Sequence, residues 1–187
     1  MKILVVGAGG IGSFFCRELK ECIDQGYFLK PLDVTIADDD MVEVEQIMYQ
    51  NFEMKDVGLN KALAIGYKYG FKVVKERISE TNTFGGFDVV ILCVDNDKTR
   101  KFVYESCFKQ KKEFIDIRCS GRKVFVMPKA MTLNNNLKYI DADDENNYSC
   151  QEGTSHQIGN RIASEIGVQF LINLVRGHNN RIINIMV

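Results

Sequence analysis

The sequence predicts an α/β fold, with a doubly wound and mainly parallel sheet in a single compact domain. Two observations predict it. Short apolar segments rich in β-branched residues alternate with longer segments whose apolar residues recur at helical spacing, and this alternation is typical of parallel sheets with right-handed crossovers. The chain has 187 residues, 45% of them hydrophobic, which is enough to bury the core of one domain.

The individual elements follow from their local patterns. Residues 3–7 (ILVVG) are apolar and end in glycine, which is typical of a buried strand that leads into a tight turn. Residues 11–24 then carry apolar side chains at helical spacing. The same reasoning predicts further strands at 32–40, 71–78, 87–96, 113–121 and 123–127, and further helices at 57–70, 98–111 and 157–176.

Two segments near the C-terminus have unusual compositions. Residues 132–150 are polar and rich in asparagine, and we predict a mobile loop there. The helix at 157–176 carries Gly159, Ala163 and Gly167 at intervals of four residues. This stripe favours close packing on the sheet over a membrane dimer motif. Whether the helix packs inside the domain or across a dimer stays open.

Charge and hydropathy argue against two classes of partner. The net charge is −1, so no nucleic-acid partner is expected, and we interpret Lys109, Lys111 and Lys112 as a solvated helix end rather than a basic patch. No apolar run approaches the roughly 18 residues of a membrane span, and the N-terminus lacks the features of a signal peptide. We therefore expect no membrane partner and a cytoplasmic location.

Cysteine spacing argues against a metal centre of the zinc type. The six cysteines are spread along the chain, without a CxxC pair or a cluster of cysteine and histidine. No zinc is expected, because structural zinc sites need such closely spaced ligands.

The glycine-rich segment after the first predicted strand is the main candidate for a binding site. Gly7, Gly9, Gly10 and Gly12 lie between a strand and a helix, where glycine permits a tight turn and lets backbone N–H groups approach a phosphate. In this context the motif predicts a Rossmann-like nucleotide site, although it does not distinguish ATP from a dinucleotide. Asp38, Asp39 and Asp40 follow the second strand, where such sites place the acid that binds the ribose.

Three further motifs resemble one family. Residues 36–62 (IADDDMVEVEQIMYQNFEMKDVGLNKA) are similar to the signature of the ThiF/MoeB adenylyltransferases and ubiquitin-activating enzymes, which contains D-x-D-x-V and, later, D-V-G-x-x-K-A. Residues 88–107 (DVVILCVDNDKTRKFVYESC) are similar to the family's D-V-V-x-D-C-T-D-N segment. Residues 149–153 (SCQEG) resemble its T-C-x-E-A-G more loosely. With the glycine loop, the resemblance covers nearly the whole chain.

The resemblance implies an activity, its cofactors and its partners. In that family the C-terminal carboxylate of a small sulfur-carrier or ubiquitin-like protein attacks the α-phosphate of ATP with the help of Mg²⁺, and the proteins pair as homodimers or heteromers. The residues implied for nucleotide binding are Gly7, Gly9, Gly10, Gly12, Asp38, Asp40 and Lys61.

The resemblance also implies three catalytic roles. Lys61 meets the triphosphate, Asp95 holds Mg²⁺ as a hard oxygen ligand, and Cys150 occupies the position of a reactive cysteine. Each position has a structural alternative. The acids after the second strand can simply end it, Lys61 can be solvated, Asp95 with Asn96 can cap the following helix, and Cys150 can be an incidental exposed cysteine.

The sequence departs from the family where cations are needed. Tyr49 replaces the arginine of the family's S-N-L-N-R-Q, and Gln46 replaces its first asparagine. Tyrosine carries no positive charge. We expect the missing positive charge to come from one of two sources. A partner protein can supply the arginines, or Arg118 or Arg122 can substitute for them within the chain. Three hypotheses therefore stay open: an adenylyltransferase acting on a carrier protein, a non-catalytic nucleotide- or protein-binding member of the same fold, and an NAD-binding oxidoreductase. The third leaves the resemblance at 40–62 and 88–107 unexplained.

Overall fold

The sheet has the strand order β3-β2-β1-β4-β5-β6-β7, with β1 near its centre. The computed structural model describes residues 1–79, 84–141 and 154–187. Strands β1 to β5 run parallel to one another, and β6 and β7 are antiparallel to their neighbours. In the described ranges the strands are β1 (Lys2–Val6), β2 (Asp33–Ala37), β3 (Lys72–Val74), β4 (Val89–Leu92), β5 (Glu113–Ser120), β6 (Lys123–Pro128) and β7 (Ile183–Met186). The mainly parallel α/β architecture expected from the sequence is confirmed.

Helices cover both faces of the sheet. Alternate residues of the central strands face opposite sides, so that Ile3 and Val5 join one apolar core while Leu4 and Val6 join the other. The first core is completed by α1, α2 and α5, and the second by α3 and α4. The helices are α1 (Gly10–Asp24), α2 (Lys61–Tyr69), α3 (Asp97–Lys109), α4 (Leu133–Asp141) and α5 (Thr154–Val175), and two short 3₁₀ helices occupy Val44–Met48 and Met54–Asp56.

The prediction of a loop at 132–150 is wrong for the first half of this segment. Helix α4 forms there, and its Ile140 is buried in the second core, with Leu133 and Leu137 packed against it at helical spacing. The buried side chain of Asn136 donates to the carbonyl of Pro128 and accepts from the N–H of Ala130. One asparagine of the polar segment is therefore a core residue. The rest of the predicted loop, 142–150, lies outside the described residues.

The small residues of α5 pack inside the domain. A Cβ atom at Gly159 would lie 2.3 Å from the carbonyl oxygen of Gly121, and one at Gly167 would lie 2.2 Å from a methyl group of Ile117. The helix therefore lies close against β5. No helix in the described ranges has both the length and the apolar character needed to cross a bilayer.

Candidate nucleotide site

A cavity of about 220 Å³ lies at the carboxyl ends of β1, β2 and β4, beside the first turn of α1. In open α/β sheets this edge, where the connections turn to opposite faces, is the usual place for a ligand. The cavity is bordered by the glycine loop, by the acids that follow β2, and by the segment that follows β4.

The four glycines of the loop have different surroundings. Gly7 has a φ of +94°, and a Cβ atom there would lie 2.7 Å from the carbonyl oxygen of Cys93. A Cβ atom at Gly12 would lie 1.9 Å from the carbonyl oxygen of Gly7, which brings the helix close to the loop. A Cβ atom at Gly10 would lie 2.4 Å from the side-chain nitrogen of Asn160 in α5. A Cβ atom at Gly9, which lines the cavity, would meet no atom within 4 Å.

Gly9 is also the N-cap of α1. Because it has no side chain, it cannot cap the N–H groups of the first helical turn, and Gly10 and Ile11 of that turn border the cavity. Such a turn, with the positive end of the helix dipole behind it, is suited to an anion. Of the four glycines, Gly9 has the open space that a phosphate needs, whereas Gly12 serves close packing.

Asp38 connects the glycine loop to the end of β2. One of its carboxylate oxygens accepts from the N–H of Ala8 at 2.6 Å, and the other accepts from the N–H of Asp40 at 2.8 Å. Burial raises the pKa of the Asp38 carboxyl, although both N–H groups and the nearby Lys61 ammonium act in the opposite direction.

Lys61 lies opposite Asp38 at the start of α2. Its ammonium is 3.1 Å from a carboxylate oxygen of Asp40, and its side chain is 6% exposed, against 66% for Asp40. The charge of Lys61 therefore lies at the cavity wall, while its methylene groups are buried. Of the predicted nucleotide-binding acids, Asp40 is the one that pairs with Lys61.

Asp95 lies at the exposed rim of the cavity beyond β4. The neighbouring Asn96 caps α3, because its side-chain oxygen accepts from the N–H of Thr99 at 2.8 Å. Arg100 fixes the same turn by donating to the carbonyl of Val94 and, at 2.7 Å, to Asp97. The cap therefore belongs to Asn96, and Asp95 borders the cavity with an exposed carboxylate, a group of the kind that binds hard cations.

Arg118 is buried in the wall of the cavity. It donates to Asp116 at 2.7 Å, to the hydroxyl of Tyr104 at 3.0 Å and to the carbonyl of Tyr139 at 3.0 Å. The guanidinium of Arg118 is therefore held in place by hydrogen bonds to other groups of the protein. Arg122 instead contacts the carbonyl of Val187 and does not border the cavity.

Arg77 and Gln50 also line the cavity, although neither was assigned a role from the sequence. Arg77 is exposed three residues beyond β3, and its position after a strand at the carboxyl edge is a signal that could have identified it. Gln50 is 7% exposed, and within the described part of the chain its side-chain oxygen has no hydrogen-bond partner. Gln50 matches the family motif, so the resemblance already contained it. Cys150 lies outside the described residues.

Comparison with family models assigns the chain. The model of the ThiF family matches residues 1–186. The chain belongs to the ThiF family. No curated protein matches the sequence.

The fold of this ThiF-family chain is similar to that of MccB from E. coli. The structure of MccB with ATP aligns with a TM-score of 0.71 and 15% identity, over 100% of this chain and 61% of that one. MccB with AMPCPP and MccA aligns with a TM-score of 0.73, again with 15% identity, over 100% of this chain and 60% of that one. At this identity the likeness shows the fold, and the chain spans about 60% of the length of MccB.

Proposed function

We propose that this ThiF-family chain binds ATP with Mg²⁺ and activates the C-terminal carboxylate of a small carrier protein or peptide by adenylylation. The observation that carries the proposal is the convergence of Gly9, Asp38, Lys61 and Asp95 on one cavity. The MccB structures with ATP and with AMPCPP and MccA support both the nucleotide and a small polypeptide partner.

The described residues suit ATP. The open space at Gly9 and the first turn of α1 would receive phosphate oxygens. Asp38 would accept from the ribose hydroxyls with its remaining lone pairs, and the Lys61 ammonium would exchange Asp40 for a phosphate. The unpartnered side-chain oxygen of Gln50 is a further group that a ligand in this cavity would satisfy.

Asp95 is the residue proposed to hold Mg²⁺. Its exposed carboxylate supplies the oxygen ligand that this ion prefers, and the rest of the coordination would come from phosphate oxygens and water. When bound there, Mg²⁺ would supply positive charge to the phosphates.

The proposed reaction needs orientation and charge more than proton transfer. An oxygen of the acceptor carboxylate forms a bond to the α-phosphorus, the bond from that phosphorus to the bridging oxygen of the β-phosphate breaks, and pyrophosphate leaves. The product is a mixed anhydride of the acceptor and AMP. Gly9, Asp38 and Lys61 would hold the nucleotide for in-line attack and neutralise its charge.

A second candidate function is nucleotide binding without catalysis. Tyr49 favours it, because this residue lines the cavity at the family's arginine position and has no charge to offer a triphosphate. Arg118 does not replace that arginine as a free side chain, since its donors are engaged with Asp116, Tyr104 and Tyr139. We therefore expect weak adenylylation by the isolated chain, and recovery when a partner supplies arginine.

Exchange of labelled pyrophosphate into ATP separates the two candidates. The assay uses a panel of small carrier proteins that end in Gly-Gly, with wild type, Tyr49→Arg, and Tyr49→Arg combined with Asp95→Ala. If the proposal holds, Tyr49→Arg raises exchange above wild type and Asp95→Ala abolishes the gain. ATP binding without exchange in every variant would contradict adenylylation and support the second candidate.

A further inference from the structure

Asn60 ties the acids after β2 to the helix that carries Lys61. Its side chain is buried, with 8% of the residue exposed. Its amide nitrogen donates to the carbonyl of Asp38 at 2.9 Å and to the carbonyl of Asp40 at 3.1 Å. Its amide oxygen accepts from the N–H of Leu63 at 3.0 Å, and so caps α2.

These contacts join segments that are about twenty residues apart in the sequence. Between them runs the crossover 41–59, whose two ends meet at the Asn60 side chain. The N–H of Lys61 also donates to the carbonyl of Asp40 at 2.9 Å, so the same carbonyl receives both a side-chain and a backbone hydrogen bond. The amide orientation is fixed by its partners, because an oxygen must face the N–H and a nitrogen must face the two carbonyls.

Through these contacts Asn60 affects the positions of the two side chains proposed to bind the nucleotide, Asp38 and Lys61. Asp38, held from its carbonyl side by Asn60, holds the glycine loop through the N–H of Ala8. Lys61 follows Asn60 directly and pairs with Asp40. Asn60 itself does not border the cavity, so it would act only through its neighbours.

We propose that Asn60 is a positioning residue that sets the distance between the ribose-binding carboxylate of Asp38 and the phosphate-binding ammonium of Lys61. The proposal rests on the proposed nucleotide binding for its functional consequence. A helix cap alone would require an acceptor at this position, whereas the two carbonyl contacts require a donor as well. The donor groups therefore distinguish positioning from capping.

Asn60→Ser separates the two roles, because serine caps helices well but has no amide nitrogen that could donate to both carbonyls. The matched control is Asn136→Ser, which removes a buried asparagine that bridges Pro128 and Ala130 and does not itself line the cavity. Amide hydrogen exchange of the ligand-free proteins tests the structural link. In Asn60→Ser we expect the N–H of Lys61 to exchange faster than in wild type, while the N–H of Leu63 stays protected.

Calorimetry with ATP and with 2′-deoxy-ATP tests the functional link. Asn60→Ser should weaken ATP binding about tenfold and narrow the preference for ATP over 2′-deoxy-ATP, because Asp38 is no longer held at the ribose. Asn136→Ser should keep both the affinity and the preference. Unchanged exchange at Lys61, or faster exchange with unchanged affinity and preference, would overturn the proposal.

The hydrogen-exchange and calorimetry experiments distinguish a failure of the Asn60 proposal from a failure of the proposed function. If wild type binds neither nucleotide, the proposed function fails and so does the nucleotide-positioning role of Asn60. The exchange arm, which needs no ligand, would then still decide whether Asn60 holds the two segments together.

Discussion

Arg118 and Asp116 form an ion pair in which neither side chain is exposed to solvent. The pair is completed by Tyr104, whose hydroxyl donates to Asp116 and accepts from Arg118. Removing one partner of such a pair leaves a buried charge without compensation, and the cost exceeds the net contribution of the intact pair. The pair therefore makes Arg118 a structural residue of the cavity wall.

We expect Arg118→Leu to lower the free energy of unfolding by about 3–5 kcal/mol, because the buried Asp116 would lose its nearest counter-charge and keep the more distant Arg100, at 3.5 Å. Urea denaturation monitored by circular dichroism measures this loss. Arg122→Leu is the control, since Arg122 is exposed, and its effect should stay within about 0.5 kcal/mol. Equal losses in the two variants would contradict a structural role for Arg118.

The same network gives stability a dependence on pH. Burial raises the pKa of the Asp116 carboxyl, but the guanidinium groups of Arg118 and Arg100 and the hydroxyl of Tyr104 outweigh it, so the pKa lies below its ordinary value. A lowered pKa in the folded state contributes stability above the unfolded-state pKa of about 3.9. This contribution is lost as the pH falls through the folded-state pKa.

We therefore expect the free energy of unfolding of wild type to decrease between about pH 5 and about pH 2, and to decrease less in Asp116→Asn. Urea denaturation at several pH values measures both slopes. The variant should also be less stable than wild type near neutral pH, because its arginines lose their counter-charge. A variant whose acid dependence equals that of wild type would show that Asp116 does not contribute to it.

At the scale of elements, the glycines at the junction of β1 with α1 have different surroundings: Gly12 packs against the carbonyl of Gly7, whereas Gly9 borders the open cavity. We expect Gly12→Ala to destabilise the fold by about 3 kcal/mol, since its new methyl group would overlap the carbonyl of Gly7. Gly9→Ala should cost less than about 1 kcal/mol but weaken ATP binding about tenfold, because the methyl group would enter the cavity. Denaturation and calorimetry on both variants check this division. Equal effects on stability would contradict it.

Local patterns explain which elements the sequence could predict. The strand ILVVG and the helix after it were predictable because apolar spacing and glycine act over a few residues. Helix α4 was missed because its apolar positions are separated by asparagines, and one of these, Asn136, is buried and makes hydrogen bonds to β6 and the segment after it. Strand β7 was missed because it forms by pairing with β6, a partner distant in the chain.

Only part of the candidate site could be predicted from the sequence. The acids after β2 and Lys61 followed from a motif, but the separate surroundings of Gly9 and Gly12 depend on backbone approaches that no local pattern reveals. The bridging role of Asn60 likewise depends on carbonyl groups about twenty residues away.

At the scale of the whole molecule, the resemblance to the ThiF/MoeB adenylyltransferases leads us to expect that this chain forms a dimer. The rim of the candidate nucleotide cavity carries the exposed Asp95 and Arg77, and we expect a neighbouring subunit to complete it there. Sedimentation at high micromolar concentration measures the association. A monomer under these conditions would contradict the expectation.

Calorimetry with ATP·Mg²⁺ and with NAD tests the central claim most directly. The account predicts that wild type binds ATP more tightly than NAD, and that Asp38→Ala weakens ATP binding at least about tenfold, or about 1.4 kcal/mol. Asp33→Ala, at the other end of β2 and paired with Lys72 on the surface, should bind ATP as wild type does. Tighter binding of NAD than of ATP, or no affinity for either, would contradict the account.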